Sequence, residues 1–492
     1  MNITLDNQGA LYEQLARALK RAILEGQFTA GSPLPPTRNM ARMLLVSRNT
    51  VLAAYELLNA EQLIVARGGS RTRVANITPM RTRPSDARIV RPPSRYAARA
   101  RKVAAMVPGM PGVAISQARY KLQYGEPLLN LRLFNSWRNK VGAAALRTAP
   151  GYPPAQGLPV LRAAVCDYLA RRRGFVCSPE DVIIVSGTQQ AITIVARTVL
   201  DEGATAVIED PSYWLARQAL TAHGARLISV PTDEQGLITS LMPTRPGRLI
   251  LVTPSHQFPS GAVMSLSRRI ELLQNTATHG SWILEDDYDG EFHGDSRPIA
   301  ALRSLDGGER VIYVGTFSKS MFPSLRLGYI VSPRALRDDL LATKRLDDCG
   351  CSAIEQAALA AFMQGRQFEK HLRHSASELD RRREALLEGL NRWAAGHIEV
   401  SESRAGMHLV VWLPRLNYAQ LDQLIRLAET RGVGLHPVHP CYRERPPFPG
   451  LLMGFAGLSC NQIATATELL GGCLRDLQQR PAEPGGNGAA TV

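Results

Sequence analysis

A lysine directly after an apolar run is the first residue of this chain whose position suggests chemistry. Lys319 lies in the segment TFSKS, behind the apolar run RVIYVGT (310–316). Such a run is typical of a strand, and the ends of strands in α/β sheets are where ligands bind. A lysine amine can form a Schiff base with an aldehyde cofactor. A single lysine is more often an ordinary surface residue, so this interpretation depends on finding partners for it.

Candidate partners for such a cofactor follow two other apolar runs. Asp286 and Tyr288 come at the end of one run, in LEDDYDGEF. A carboxylate there would keep a pyridine nitrogen protonated, as the electron-sink chemistry of pyridoxal 5′-phosphate (PLP) requires. The Tyr288 hydroxyl could donate to the phenolic oxygen of that cofactor. Tyr213, in EDPSYWLAR, could stack on its ring.

A third group of residues could hold the phosphate. The segment SGTQQAI follows an apolar run and opens a helical pattern, so its backbone N–H groups would face an anion at the positive end of a helix. The residues expected to contact the phosphate are Gly187, Thr188 and Gln189 of this segment, with Thr316, Ser318 and Arg326 near the lysine. The sequence thus predicts a PLP site with Lys319 as its catalytic residue.

The elements that must position these residues have an α/β rhythm. Seven short apolar runs alternate with helical stretches: DVIIVSG (181–187), TAVIED (205–210), RLISVP (226–231), RLILVTP (248–254), SWILEDD (281–287), RVIYVGT (310–316) and RLGYIVS (326–332). This alternation predicts a mostly parallel sheet covered by helices. Residues from about 340 to 475 have long amphipathic helical patterns instead, which predict a smaller C-terminal α+β subdomain.

The first 76 residues have a different pattern. Helices are expected over 11–25, over Arg38–Leu45 behind an N-cap at Thr37, and over Arg48–Asn59 behind an N-cap at Ser47. A β-hairpin is expected around Gly68-Gly69-Ser70. Three helices and a hairpin are the layout of a winged helix-turn-helix.

In a helix-turn-helix the second helix of the motif enters the major groove with its first residues on the bases. Arg48 and Asn49 would then face bases, and Ser47 and Thr50 would face phosphates. Arg38 is a second candidate base contact, because the arginine fork matches guanine. In the wing, Arg67, Arg71 and Arg73 could reach phosphate or the minor groove.

Charge favours a polyanionic partner for this module. Residues 1–105 contain 17 Lys and Arg against 6 Asp and Glu, whereas the remaining residues contain 41 against 37. Double-stranded DNA would suit such a charge, although a basic face that only aids solubility is common.

The remaining features of the sequence indicate the domain boundaries and the cellular compartment of the protein. We expect a winged-helix domain over 1–76, an Arg/Pro-rich linker over 77–114, a PLP-binding domain over 115–475 and a disordered tail over 476–492. Seven scattered cysteines, an odd number, favour a reducing cytoplasm over a disulfide framework. The chain has no apolar run near the roughly 18 residues of a membrane span, and no metal site is expected.

Two parts of the sequence resemble known families. Residues 11–75 resemble the GntR-type winged helix in G-x-x-L-P-x-x-R, S-R-x-T-V and the Gly-rich wing. Residues from about 115 to 475 resemble fold type I aminotransferases in GYPPAQGLPVLR, SGTQQA, DPSY, TPSHQFPSG, EDDYD and SKSMFPSLRLGY.

The fusion is similar to MocR/GabR-type regulators, which are PLP-dependent. The resemblance implies a homodimer and makes Lys319 the Schiff-base lysine, Asp286 the pyridine-nitrogen partner, Tyr288 the phenolate partner and Arg326 a phosphate ligand. It also implies that Tyr152 reaches the phosphate bound by the other subunit.

The sequence departs from the aminotransferase pattern at two positions. In TPSHQFPSG the asparagine that contacts the cofactor ring is replaced, with His256 and Gln257 as open alternatives. The arginine for the substrate carboxylate is also missing: Leu452 takes the matching position, and Arg443 and Arg445 are out of register. We therefore expect a DNA-binding transcriptional regulator that senses PLP or an amine, without physiological turnover. The alternatives are an active aminotransferase with a DNA-binding module and a regulator whose α/β domain has lost PLP.

Overall fold

The chain divides after Pro92 into two units, Met1–Pro92 and Pro93–Val492. A computed structural model describes residues 3–65, 71–77, 92–105, 117–126, 128, 130–292, 300–365, 367–402 and 406–479. No helix within these ranges is long and apolar enough to cross a membrane.

The first unit is a winged helix-turn-helix, as the sequence predicts. Its elements are α1 (Leu11–Leu24), α2 (Thr37–Leu44), α3 (Arg48–Ala60) and the antiparallel pair β1 (Ile64–Val65) and β2 (Arg73–Val74). The three helices bury their apolar faces in a core of their own that includes Leu15, Leu19, Val51 and Leu58. Thr37, expected as an N-cap, is instead the first residue of α2, and Pro36 precedes it.

The second unit begins with a helix that the sequence did not predict. Its first elements are α4 (Arg95–Ala104), β3 (Tyr120–Lys121), α5 (Leu131–Arg147) and α6 (Pro159–Arg172). Helix α4 lies inside the segment expected to be a linker, and Ser94 caps it by accepting a hydrogen bond from the Ala97 amide at 3.2 Å. Val103 of this helix is buried, so at least this part of the expected linker is folded structure. The segments 78–91 and 106–116 lie outside the described residues.

An eight-stranded sheet forms the centre of the second unit. Its strands are β4 (Val182–Val185), β5 (Thr205–Asp210), β6 (Arg226–Asp233), β7 (Gly236–Leu237), β8 (Leu249–Val252), β9 (Trp282–Asp287), β10 (Val311–Thr316) and β11 (Gly328–Val331), in the order β4-β11-β10-β9-β8-β5-β6-β7. Strands β6, β5, β8, β9 and β10 pair in parallel, whereas β11 is antiparallel to both β10 and β4. All seven predicted strands are confirmed. Most of their residues are buried, as expected of a sheet with both faces covered.

Helices connect these strands and cover the sheet. They are α7 (Thr188–Val199), α8 (Trp214–His223), α9 (Leu266–His279), α10 (Leu302–Asp306) and the single turn α11 (Phe317–Ser320). Two apolar clusters result, one around Ile183, Val195 and Leu220 and another around Val207, Ile250 and Leu272.

The remainder of the second unit has the α+β character that the sequence predicts. Its elements are α12 (Arg337–Asp348), α13 (Ala353–Gln364), α14 (Gln367–Ala394), β12 (Glu399–Val400), β13 (His408–Trp412), α15 (Tyr418–Thr430), β14 (Val433–Gly434), β15 (Gly450–Gly454) and α16 (Cys460–Gln479). Strands β12, β13 and β15 form an antiparallel sheet, and β14 pairs with β3. The tail was expected to be disordered from residue 476, but α16 continues to Gln479; residues 480–492 lie outside the described part of the chain.

Candidate functional site

A cavity of about 430 Å³ lies at the carboxyl edge of the parallel strands. Asp286 is in β9, Lys319 follows β10, Tyr213 follows β5 and Thr188 follows β4. Because β11 is antiparallel, Arg326 before its first residue reaches the same edge. The cavity is lined by Gln123, Tyr124, Gly125, Glu126, Thr188, Gln189, Tyr213, Trp214, Leu215, Phe258, Asp286, Tyr288, Thr316, Ser318, Lys319, Pro323, Arg326 and His436. Most of the residues predicted for the cofactor are therefore brought together.

Three consecutive carboxylates end β9, and they differ in their partners. Glu285 accepts hydrogen bonds from the amides of Leu302 at 2.7 Å and Arg303 at 2.9 Å. Asp287 forms a buried ion pair with Arg173 at 2.6 Å. Asp286 lies between them, and side chains alternate along a strand, so it faces the other way, into the cavity. Its Oδ1 atom is buried and has no hydrogen-bond partner among the described residues.

Burial shifts the protonation of both charged groups in this cavity. Loss of hydration, aided by the nearby Asp287 and Asp289, raises the pKa of Asp286 to about 8. Burial also lowers the pKa of Lys319 to about 8. The Lys319 Nζ atom lies 4.1 Å from the ring centroid of Tyr124, so an aromatic face covers the amine. A lysine with this pKa is partly neutral near physiological pH, which a nucleophilic amine requires.

The opposite end of the cavity combines a helix N-terminus with an arginine. Gly187 is the N-cap of α7 and has φ of +114°, a conformation that disfavours other residues. A Cβ atom at Gly187 would lie 3.5 Å from the Arg326 guanidinium, so the two are close together. Arg326 forms no ion pair with any described residue, and with the α7 amides it makes a positive pocket. Thr316 and Ser318 also line the cavity, and the Thr316 hydroxyl accepts a hydrogen bond from the Ser318 amide at 3.2 Å.

Neither alternative for the missing asparagine lines the cavity. The His256 Nδ1 atom lies 2.7 Å from Asp289 and 2.9 Å from the Tyr288 hydroxyl. The imidazole therefore helps to fix the position of that hydroxyl. The Gln257 amide donates to the backbone oxygens of Pro211 and Phe258, both at 2.7 Å. Phe258, which directly precedes Pro-Ser-Gly, is the residue of this segment that faces the cavity. The choice between His256 and Gln257 for a ring contact stays untested, and Phe258 offers an apolar surface at this wall.

Histidine and leucine occupy the region where aminotransferases place the carboxylate arginine. Leu452 is buried in β15, and its amide donates to the His436 oxygen at 2.8 Å. The His436 side chain lines the cavity, and neither ring nitrogen has a hydrogen-bond partner in the described structure. Burial lowers the pKa of His436 to about 4, so the ring is neutral. Arg443 and Arg445 do not line this cavity.

Some predicted and unpredicted residues need separate mention. Tyr152 is 96% exposed and does not line the cavity of its own chain, so its contact with a second subunit stays a prediction. Tyr124, Trp214 and His436 line the cavity but were not predicted as cofactor contacts. Trp214 directly follows Tyr213, a signal that the sequence offered; Tyr124 and His436 belong to no motif.

The first helical turn of α3 presents polar side chains to solvent. Arg48 and Asn49 are exposed, and so is Arg38 at the start of α2. The Ser47 hydroxyl caps α3 by accepting from the Thr50 amide at 3.0 Å and lies 2.8 Å from the Thr50 hydroxyl. These two residues thus fix the start of the recognition helix. Arg71 is exposed just before β2, whereas Arg67 lies outside the described residues.

Two family models match the chain. The model described as "Bacterial regulatory proteins, gntR family" matches residues 11–74, and "Aminotransferase class I and II" matches residues 120–452. A solved structure of an α-aminoadipate aminotransferase from Thermus thermophilus, complexed with N-(5′-phosphopyridoxyl)-L-leucine, superposes with a TM-score of 0.68 at 26% identity. The match covers 78% of this chain and 97% of that one.

A relative that matches nine tenths of the chain extends the similarity to both parts at once. The chain is 37% identical to the probable rhizopine catabolism regulatory protein MocR of Rhizobium meliloti, over 91% of this chain and 90% of that protein. It is 31% identical to the pyridoxine biosynthesis transcriptional regulator PdxR of Corynebacterium glutamicum, over 71% of this chain and 72% of that protein. A GntR-type domain joined to an aminotransferase class I and II domain defines a class of transcriptional regulators. The chain belongs to the MocR-type family of these regulators.

Neighbouring carboxylates on opposite faces of β9 give a matched pair of variants. We expect Asp286→Asn to weaken PLP binding at least tenfold, because a hydrogen bond between charged groups is worth about 1.5–3 kcal/mol. The cofactor-free variant should be as stable as the original protein or more so, since a buried carboxylate without a partner is removed. Asp287→Asn should instead lower the melting temperature, because Arg173 loses its buried counter-charge. Titration with PLP and thermal unfolding check this. Equal effects of the two variants on PLP affinity would contradict the placement.

Cofactor attachment should depend on pH through Lys319. An amine attacks as the neutral base, so lowering its pKa to about 8 predicts that covalent attachment of PLP speeds up as pH rises and levels off above about pH 8. Asp286 titrates in the same range, so the midpoint reports both groups. Visible absorption against pH measures the rate, and borohydride reduction followed by peptide mapping identifies the residue. Lys319→Ala should abolish attachment, whereas the exposed Lys370→Ala should not. A rate that still rises near pH 10 would show attachment to an ordinary lysine.

Proposed function

We propose that this transcriptional regulator binds PLP on Lys319 and that occupancy of the cavity controls its binding to operator DNA. The observation that carries this proposal is Asp286, a buried carboxylate that lines the cavity and whose Oδ1 atom has no hydrogen-bond partner among the described residues. A protonated pyridine nitrogen supplies both the charge and the hydrogen bond that this carboxylate lacks.

The residues of the cavity fit PLP at both ends. Arg326 and the N-terminus of α7 with Thr188 suit a phosphate, and Thr316 and Ser318 add hydroxyls. The Tyr288 hydroxyl can donate to the phenolic oxygen, because His256 holds it at this wall. Tyr213 contributes an aromatic surface, packed edge-on against Trp214 and Phe258. When bound, PLP supplies an electron sink for an amine joined to it.

The protein's own part is to prepare Lys319 and to exclude water. Burial keeps a fraction of the amine neutral, and the Tyr124 ring covers it. When the ring nitrogen carries its proton, the opposite charge stabilises the ionised form of Asp286. The aromatic rings of Tyr124, Phe258 and Trp214 make much of the wall apolar, which strengthens each of these charge contacts.

The same wall limits what effector the cavity accepts. Of the described residues that line it, Arg326 is the one arginine, and it lies at the phosphate end. Away from that end and from Lys319, the polar groups of the lining include the neutral His436, Gln123 and the acidic Glu126. An α-carboxylate would lose its hydration there without gaining a charged partner. We therefore propose PLP itself, or an amine without an α-carboxylate, as the effector.

The compartment and the oligomeric state that we propose follow from DNA binding. We propose that the protein acts in the cytoplasm as a homodimer on double-stranded operator DNA, since symmetric dimers match repeated half-sites. Arg38, Arg48 and Asn49 are exposed at the starts of α2 and α3, where they can reach base edges. In this dimer Tyr152, which is exposed on its own chain, would contact the phosphate bound by the second subunit.

An active aminotransferase with a DNA-binding module is the second candidate. The observation in its favour is that Lys319, Asp286, Tyr288 and Arg326 all line one cavity, which is the full set that the chemistry needs. Against it, the described lining offers no cation for a substrate carboxylate besides Arg326 and Lys319, and His436 is neutral. Such a cation would position the substrate, and positioning can account for several kcal/mol of the barrier.

Binding to the promoter of the protein's own gene tests the regulatory function. PLP should change the footprint of the original protein but not that of Lys319→Ala.

Arg38→Ala or Arg48→Ala should each weaken specific binding by about 1–3 kcal/mol if the arginine contacts a base in bidentate fashion. Arg71→Ala should weaken binding to all sequences and flatten the salt dependence. Arg147→Ala, which removes an exposed charge from the second unit, is the control. Unchanged specific binding in both Arg38→Ala and Arg48→Ala would exclude the starts of α2 and α3 as the surface that contacts the bases.

Transamination of common α-amino acids should be weak or absent. The assay mixes the PLP-loaded protein with a panel of amino acids and follows its visible absorption over a single half-reaction. We expect little change with α-amino acids, because none of the described residues near His436 offers their carboxylate a cation. Rapid turnover with an α-amino acid and a 2-oxo acid acceptor would favour the enzyme. Amines without a carboxylate should react faster than the amino acids that share their side chains.

A further inference from the structure

A second cavity, of about 620 Å³, lies where α4 packs beside α8 and the turn that contains His439 and Arg445. Five cationic residues line it: Arg99, Lys102, Arg217, Arg443 and Arg445. None of its described lining residues is acidic. Its described lining residues include none of those predicted to contact the cofactor or DNA.

The positive charge of this cavity is only partly balanced by the protein. Arg99 pairs with Glu202 at 2.8 Å and Arg217 with Asp210 at 3.2 Å. The side chains of Lys102, Arg443 and Arg445 form no ion pair in the described structure, although the Arg443 backbone amide donates to Asp210 at 2.9 Å. The Arg445 side chain instead lies 4.9 Å from the Tyr418 ring centroid. Three cations thus face one concave space without counter-charge. Like charges so placed repel each other, and a bound anion would remove that repulsion.

Buried hydrogen-bond donors line the same space. Trp214 is 2% exposed, and its indole Nε1 atom has no hydrogen-bond partner in the described part of the chain. The Nε atom of Arg217 is also buried without a partner. Both groups can only donate, and a buried donor without an acceptor costs about 1–3 kcal/mol. A small rotation of either side chain toward the cavity would let an oxygen atom of a bound anion accept from it.

We propose that this cavity is a binding site for a small organic anion with two or more negative charges, such as a phosphate ester or a polycarboxylate. The anion would bridge α4 and α8, because Lys102 comes from the first helix and Trp214 and Arg217 from the second. It would also contact the wall of the cofactor cavity, since Trp214 lines both. The site would let a second, anionic effector bind the regulator, separately from the amine or cofactor that occupies the first cavity.

One wall of the cavity is α4, which polar contacts hold against α8. The Arg99 side chain donates to the backbone oxygens of Ala222 at 3.0 Å and His223 at 3.3 Å, and the Gln218 amide donates to the Val103 oxygen at 3.0 Å. Helix α4 carries four basic residues and no acidic one, so it meets the cations of the turn with unfavourable charge. A bound anion would therefore also hold α4 more firmly against α8.

Calorimetric titration of the full-length, PLP-loaded protein tests the proposal. Loading with PLP fills the phosphate end of the first cavity, so the probes, inorganic pyrophosphate and citrate, report on the second. We expect one anion per chain. The double variant Lys102→Gln/Arg443→Gln should weaken binding at least tenfold, and Trp214→Phe, which keeps an aromatic ring but removes the donor, should weaken it several-fold. The control Arg147→Gln/Arg426→Gln removes two exposed charges elsewhere and should bind as the original protein does.

Hydrogen exchange gives an independent measure. The amides of residues 95–104 should exchange more slowly with pyrophosphate present, and this slowing should be absent in the Lys102→Gln/Arg443→Gln variant. Binding that both double variants reduce equally would mean general charge attraction and would overturn the proposal. So would failure of both probes to bind, or an affinity unchanged by Lys102→Gln/Arg443→Gln. Competition by non-specific duplex DNA, with loss of DNA affinity in the double variant, would assign these cations to DNA phosphates instead.

Discussion

A buried carboxylate needs either an opposite charge or several hydrogen bonds, and this requirement organises the second unit. The end of β9 carries three carboxylates in succession, and the chain satisfies the outer two with the amides of α10 and with Arg173. It leaves Asp286 to face the cavity unaided. The ends of β4, β5, β10 and β11 then place the lysine, Tyr213 and the phosphate end around that one group. The site is thus built around a carboxyl group whose ionised form a bound molecule must stabilise.

The sequence was sufficient wherever function and secondary structure share a local signal. Lys319, Asp286 and Thr188 each lie at or just after an apolar run, and the parallel pairing of these runs brings their ends to one edge. Arg326 joins them because its strand runs the opposite way. The winged helix was predictable for a similar reason, since each helix start carries its own signal: Ser47 indeed caps α3.

What the sequence did not indicate depends on contacts between distant segments. His436 lines the cofactor cavity through the turn that follows β14, and no motif around it indicated this position. Helix α4 was obscured by the prolines and arginines around it. Its Arg99 donates to the last carbonyls of α8, at the negative end of that helix, a stabilisation that no local pattern reveals. The Phe258 side chain likewise faces the cavity because Gln257 is held by backbone oxygens.

A cofactor that completes the site around Asp286 would also link the amount of this regulator in a cell to the supply of that cofactor. A molecule that binds only the folded chain adds to folding stability, by about 2.7 kcal/mol when its concentration is a hundred times its dissociation constant. Chains made when PLP is scarce lack that increment and spend more time unfolded, where proteases degrade them. Vitamin B6 starvation would then reduce the abundance of the regulator as well as its occupancy, so the two effects would reinforce each other at the promoter.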